Sequence, residues 1–136
     1  MTPTEHHKAI VTRAADLFGP AQLDEYLKLY AVDSRLHFLP PGLPQGRQGA
    51  RLFYQALFTA FEDVRLTIRD MVGEGDRVAV RFGLDGTHRA EFLGFPPSGR
   101  RVSAEGITLF RFENGACVER WSESNLIAVL RQSAAV

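Results

Sequence analysis

The apolar positions of this chain follow one period up to about residue 61 and another beyond it. In the first part they recur at helical spacing. Thr2, Pro3 and Glu5 form a helix start of the capping-box kind, with proline at the first helical position. Ile10, Val11, Ala14, Leu17 and Phe18 then share one face, and Gly19-Pro20 ends the helix. Leu23, Tyr26, Leu27 and Tyr30 fall on one stripe and predict a second helix. Residues 34–39 read as a short strand, and 40–46, with three prolines and two glycines, as a rigid loop. A third helix is predicted over about 47–61, burying Leu52, Phe53, Ala56, Leu57, Ala60 and Phe61.

Beyond Phe61 the period is two. Val64, Leu66 and Ile68 alternate with Arg65, Thr67 and Arg69. Gly73-Glu74-Gly75-Asp76 is a hairpin turn, after which Val78, Val80, Phe82 and Leu84 alternate with small and polar residues. A third long strand covers 102–112, Glu113-Asn114-Gly115 turns the chain, a last strand covers 116–124, and 126–132 is a short apolar tail. Helices followed by an antiparallel meander predict an α+β domain. A twisted sheet curls around helices laid on one face, so the expected architecture is a half-cone with a cavity between sheet and helices.

Composition narrows the function classes. The 136 residues make one domain, 1–136, large enough for a sizeable core. Sixteen basic residues balance sixteen acidic ones, which argues against a nucleic-acid partner or an anionic membrane surface. The single cysteine, Cys117, excludes an internal disulfide and reads as a small core residue. No apolar run approaches the roughly 20 residues that span a bilayer, and the N-terminus lacks a signal-peptide core. A cytoplasmic location is expected.

Candidate chemistry centres on the end of the second strand. His88 has the parity of Val78, Val80, Phe82 and Leu84 and should face inward, where it is either an acid or base or simply a satisfied strand-end residue. Asp70 shares the parity of Leu66 and Ile68; it is a base, an orienting partner, or a solvent-facing residue at a bulge. Glu119, Trp121, Glu123 and Asn125 share one face of the last strand, either a polar cluster at the cavity mouth or a solvated edge. His37, Tyr26 and Arg111 are weaker candidates for ligand contact; Arg111 also suits an ion pair with Glu119 or Glu123. Phe82 and Trp121 would be apolar walls. No metal-ligand spacing, phosphate loop or Ser-His-Asp order is present, so no metal site is expected.

Three stretches carry a family resemblance: 40–49, 86–101, and 107–115 with Val118-Glu119-Arg120-Trp121. They resemble the SnoaL-like polyketide cyclases, or ester cyclases, of the nuclear-transport-factor-2-like superfamily. The resemblance implies a curved sheet with three helices on its concave face, a cystatin-like α+β barrel, usually assembled as a homodimer or larger oligomer. It implies cofactor-free aldol ring closure of a polyketide ester, assisted by an acidic side chain. The family usually carries an aspartate four residues after the last-strand tryptophan; here that position is Asn125, and Glu123 lies two residues before it. The expected function is acid–base chemistry (cyclisation, dehydration or isomerisation) on a small hydrophobic carbonyl compound. His88 and Glu123 would do the proton work, with Asp70 in reserve and Asn125 as a carbonyl donor. The alternative is a non-catalytic member of the fold that binds a hydrophobic small molecule.

Overall fold

The computed structural model describes residues 1–134. Helix α1 (Pro3–Asp16) starts where Thr2 accepts a hydrogen bond from the Glu5 amide at 3.1 Å, satisfying one of the unpaired donors of the first turn. A single 3₁₀ turn (Pro20–Gln22) leads into α2 (Leu23–Leu27). Strand β1 (Tyr30–Leu36) follows, then α3 (Gly46–Ala60). The meander consists of β2 (Phe61–Glu74), β3 (Arg77–His88), β4 (Arg101–Glu113) and β5 (Ala116–Ser124), and α4 (Leu126–Ala134) closes the chain.

Two boundaries differ from the sequence reading. The second helix stops at Leu27, and Tyr30 opens β1 rather than completing a helical stripe. The strand predicted at 34–39 accordingly begins and ends earlier. The cause is pairing: β1 lies parallel to β5, with Tyr30 opposite Cys117 and Leu36 opposite Arg120. The apolar tail forms a helix whose Leu130 is buried.

The sheet order is β1-β5-β4-β3-β2, and its two edge strands do not pair with each other. Helices α1 and α3 pack on one face, and α4 contacts β4. The outer edge of β1 is covered by side chains. Gln45 bonds both the amide (2.8 Å) and the carbonyl (3.2 Å) of Leu36, and Arg47 donates twice to the Tyr30 carbonyl. An edge strand's unpaired backbone groups are satisfied this way instead of recruiting another chain.

Three interruptions of the meander decide which side chains face the core, the first of them between Glu62 and Arg65 of β2. Arg69 is an extra residue in β2, between the pairs Ile68–Phe82 and Asp70–Arg81. Val118 is an extra residue in β5, between Phe112–Cys117 and Arg111–Glu119. Each inserted residue reverses the alternation after it. Between β3 and β4 the register is unbroken.

Gly49 sets the approach of α3 to the 37–45 loop. A Cβ there would collide with the Pro44 carbonyl oxygen and lie 2.8 Å from Leu39 Cδ1. Gly49→Ala is expected to lower unfolding stability by about 3 kcal/mol, since backbone cannot give way as a flexible side chain can. Urea denaturation of the two proteins checks this; an unchanged midpoint would show that the loop is not held there.

A candidate carbonyl site in the half-cone

Between the sheet and the helices lies a cavity of about 190 Å³. Its walls are apolar: Val11 and Phe18 from α1, Phe53 and Leu57 from α3, Phe82 and Leu84 from β3, among others. Arg120 is the one charged side chain among the described lining residues.

The inward rows of the sheet put Arg120 there. It stands opposite Phe110 on β4 and Leu36 on β1, and only 9% of its surface is exposed. One Nη atom donates to Tyr30 Oη and, at 2.7 Å, to Tyr54 Oη. The other donates to Thr108 Oγ1 at 3.1 Å. The guanidinium carbon lies 4.3 Å from the Phe38 ring centre and 5.2 Å from that of Phe110. Its Nε has no hydrogen-bond partner among the described residues. Tyr26 completes the cluster, with its hydroxyl 2.9 Å from that of Tyr30 and 3.4 Å from that of Tyr54.

Charge is held firmly in this cluster. Burial opposes the Arg120 charge, but the oxygens of Tyr30, Tyr54 and Tyr26 keep its pKa above the ordinary arginine value. Burial pushes the Tyr26 and Tyr30 hydroxyls well above theirs. Arg120 is therefore a cation, and these tyrosines are neutral, across the physiological range. They serve as hydrogen-bonding groups, not as bases.

The sequence-predicted residues divide around this centre. Tyr26 and Phe82 line the cavity. His88 faces inward and is buried, but it sits at the end of β3, stacked on Phe61 at 4.7 Å, outside the cavity lining. Its Nε2 has no hydrogen-bond partner among the described residues. Asp70 does not face the cavity. The inserted Arg69 turns it outward, where it accepts from Arg81 at 2.6 Å.

The same correction applies to the last strand. After Val118, Arg120, Ser122 and Ser124 face the cavity, and Glu119, Trp121 and Glu123 face the other way. Trp121 stacks on His37 at 5.2 Å and carries Arg77 over its ring. Glu119 takes His37 Nε2 at 2.7 Å, Arg35 at 3.1 Å and Arg111 at 3.2 Å. Arg111 and His37 are thus partners of a carboxylate on the convex face, away from the cavity. Glu123 is exposed opposite Ile107. Asn125 accepts from the Glu105 amide through its side-chain oxygen at 2.8 Å, at the end of the sheet and outside the cavity lining.

Arg120, Tyr30, Tyr54, Thr108, Ser122 and Ser124 were not read as site residues. The signal was parity: Arg120 and Ser122 stand opposite in phase to Trp121, and only one set can face inward. Cys117 is buried, and burial pushes its thiol up to about 11, which leaves it protonated. Among the described residues no three His, Cys, Asp or Glu side chains converge in a way that could hold a metal ion, and no helix is long and apolar enough to cross a membrane.

Residues 8–133 match the model of the family described as SnoaL-like polyketide cyclase. Among solved structures, TsrD from Streptomyces laurentii is 30% identical, with 94% of this chain and 97% of that one covered and a TM-score of 0.80. IdmH from Streptomyces antibioticus, a candidate polyketide cyclase, is 30% identical over 96% of this chain and 99% of its own, with a TM-score of 0.79. A candidate SnoaL-like polyketide cyclase from Jannaschia sp. CCS1 is 27% identical over 100% and 96%, with a TM-score of 0.87. No curated protein sequence matches the chain significantly.

The convex cluster has its own test. His37 foremost, with Arg111 and Arg35, holds the Glu119 carboxyl below its usual range, against the effect of burial. A lowered folded-state pKa contributes stability above the unfolded value and loses it as pH falls through the folded one. Glu119→Gln should therefore be less stable than wild type at neutral pH. The gap should narrow as pH drops below the usual carboxylate value of 4.5. Denaturation midpoints across this window decide it; a gap independent of pH would remove the charge argument.

Proposed function

The chain belongs to the SnoaL-like polyketide cyclase family, and from that premise we propose a cofactor-independent, cyclase-type protein. It binds a small apolar carbonyl compound in the half-cone and polarises the carbonyl through Arg120 and its hydroxyl partners. The supporting observation is the direction of the hydrogen bonds. Arg120 donates to Tyr54 and to Thr108. Tyr54 Oη also accepts from Tyr26 and donates to no protein group among the described residues. Thr108 Oγ1 accepts from Arg120 and shares one further hydrogen bond with Ser122 Oγ at 2.8 Å, in which either hydroxyl can donate, so one of the two protons stays outside that bond. The proton of Tyr54 and one proton of the Thr108–Ser122 pair, all three hydroxyls in the cavity wall, remain to be donated to a ligand. Two fixed donors backed by a buried cation stabilise negative charge developing on a carbonyl oxygen.

In this reading an enolate forms from a carbon flanked by carbonyls, which needs little base. The carbon–hydrogen bond breaks, the proton leaves to solvent, and the electron pair moves to the oxygen held by the donors. Attack of the enolate carbon on a second carbonyl of the same molecule closes a ring as that carbonyl's π pair moves onto its oxygen, which takes a proton back from solvent; loss of water or a proton shift then gives dehydrated or isomerised products. Phe82, Phe53 and Phe18 would hold the apolar body. The implied homodimer would use the convex face, where Val72, Ala79, Leu109 and Trp121 form an apolar cross-strand row.

One observation favours the second reading, a non-catalytic binder: the described cavity lining contains no Asp, Glu or His. Deuterium exchange into an apolar 1,3-diketone separates the two. The enzyme reading expects exchange well above buffer in wild type and a loss of about 100-fold in Arg120→Met, the size seen when an oxyanion donor is removed. Binding of the diketone without exchange above buffer would leave the binder.

A further inference from the structure

The chemistry of the cavity wall selects a charge as well as a shape. Arg120 is buried and cationic, and no carboxylate among the described residues pairs with it. The arginines of the convex face, among them Arg35, Arg81 and Arg111, each have one. Taking a guanidinium out of water costs several kcal/mol, and neutral hydroxyls return only part of it. An uncompensated buried charge also acts over a longer range than one in water, because little solvent screens it. The cavity beside it therefore carries a positive potential, inside apolar walls that would otherwise exclude ions.

The hydroxyl network extends this potential to the wall. Every hydroxyl that accepts from Arg120 must direct its own proton elsewhere. At Tyr54, and at one hydroxyl of the Thr108–Ser122 pair, those protons end at the cavity surface. Ser124 adds a third hydroxyl to the same strand row. A neutral ester carbonyl uses two such donors but leaves the cation unpaired. An oxyanion satisfies both.

We propose that the occupant is bound as an anion: an oxyanion carried on a compact apolar body, held by the Tyr54 hydroxyl and the free hydroxyl of the Thr108–Ser122 pair next to Arg120. This deepens, and rests on, the carbonyl-site reading. The same chemistry is available from a carboxylate or from the enolate of a 1,3-dicarbonyl compound.

Three probes test it on the intact protein: 2-naphthoate, its methyl ester, and 1-phenylbutane-1,3-dione. Calorimetry at neutral pH is expected to show naphthoate binding at least tenfold tighter than the ester. That preference should vanish in Arg120→Met and persist in Arg120→Lys, which keeps the charge. The wild-type comparison needs no variant, so it stands even where a substitution prevents folding. For the diketone, the ultraviolet band of the enolate should appear on binding at a pH where the free compound is neutral. That is a downward shift of at least tenfold in proton affinity. Naphthoate preference alone identifies a carboxylate ligand, and the enolate band alone identifies an ionised substrate; either supports anion binding. Ester binding equal to or tighter than naphthoate, together with a diketone bound only in its neutral form, would overturn this inference and leave the carbonyl site standing. No binding by any of the three would overturn both.

Discussion

The concave half of this protein is organised around a buried positive charge that has no negative partner among the described residues. Removing a guanidinium from water is tolerated only when its donors are met and its faces covered. Here the groups that do so come from every layer of the fold. Tyr26 belongs to α2, Tyr30 to β1, Tyr54 to α3, Thr108 and Phe110 to β4, and Phe38 to the loop between β1 and α3. The parallel pairing of β1 with β5 brings Tyr30 and Arg120 into one sheet, and the close seat of α3 brings Tyr54 over them. A chain that folded without this convergence would bury a charge in hydrocarbon.

The two faces of the sheet solve the charge problem in opposite ways. On the convex face, cations and carboxylates are interleaved: Glu119 with Arg35, His37 and Arg111, Asp70 with Arg81, Asp85 with Arg101. Most of these pairs are exposed, and each contributes little to stability. They keep one side of a strongly hydrophobic sheet wet. On the concave face a single cation stands among aromatic rings and hydroxyls. A cavity with one uncompensated charge is poorly suited to proton abstraction by a side chain and well suited to stabilising negative charge on a ligand. That asymmetry moves the candidate chemistry from the imidazole and carboxylates of the strand ends to the tyrosine–arginine network.

Much of the architecture was legible from residue order. The Thr2 cap, the apolar stripes of α1 and α3 and the turns at 73–76 and 113–115 are local signals, and the elements they announce formed. His88 also kept its inward parity, because β3 runs in unbroken register with β4. Its place beside Phe61, rather than at the cavity, depends on where the cavity ends, which no strand pattern states. Tyr30 was misplaced because its helical spacing from Tyr26 and Leu27 is real. Pairing with β5 outweighed that weak local preference.

What the residues determined by themselves was therefore the set of elements, their order and the α+β class, since spacing, caps and turns act within a few positions of the chain. What tertiary structure alone decided was which side of each strand looks into the cavity. One inserted residue, Arg69 in β2 or Val118 in β5, turns every later side chain to the opposite face. Such an insertion becomes visible only against the partner strand. Asp70, Glu119 and Trp121 went outward by that mechanism, and Arg120 went in.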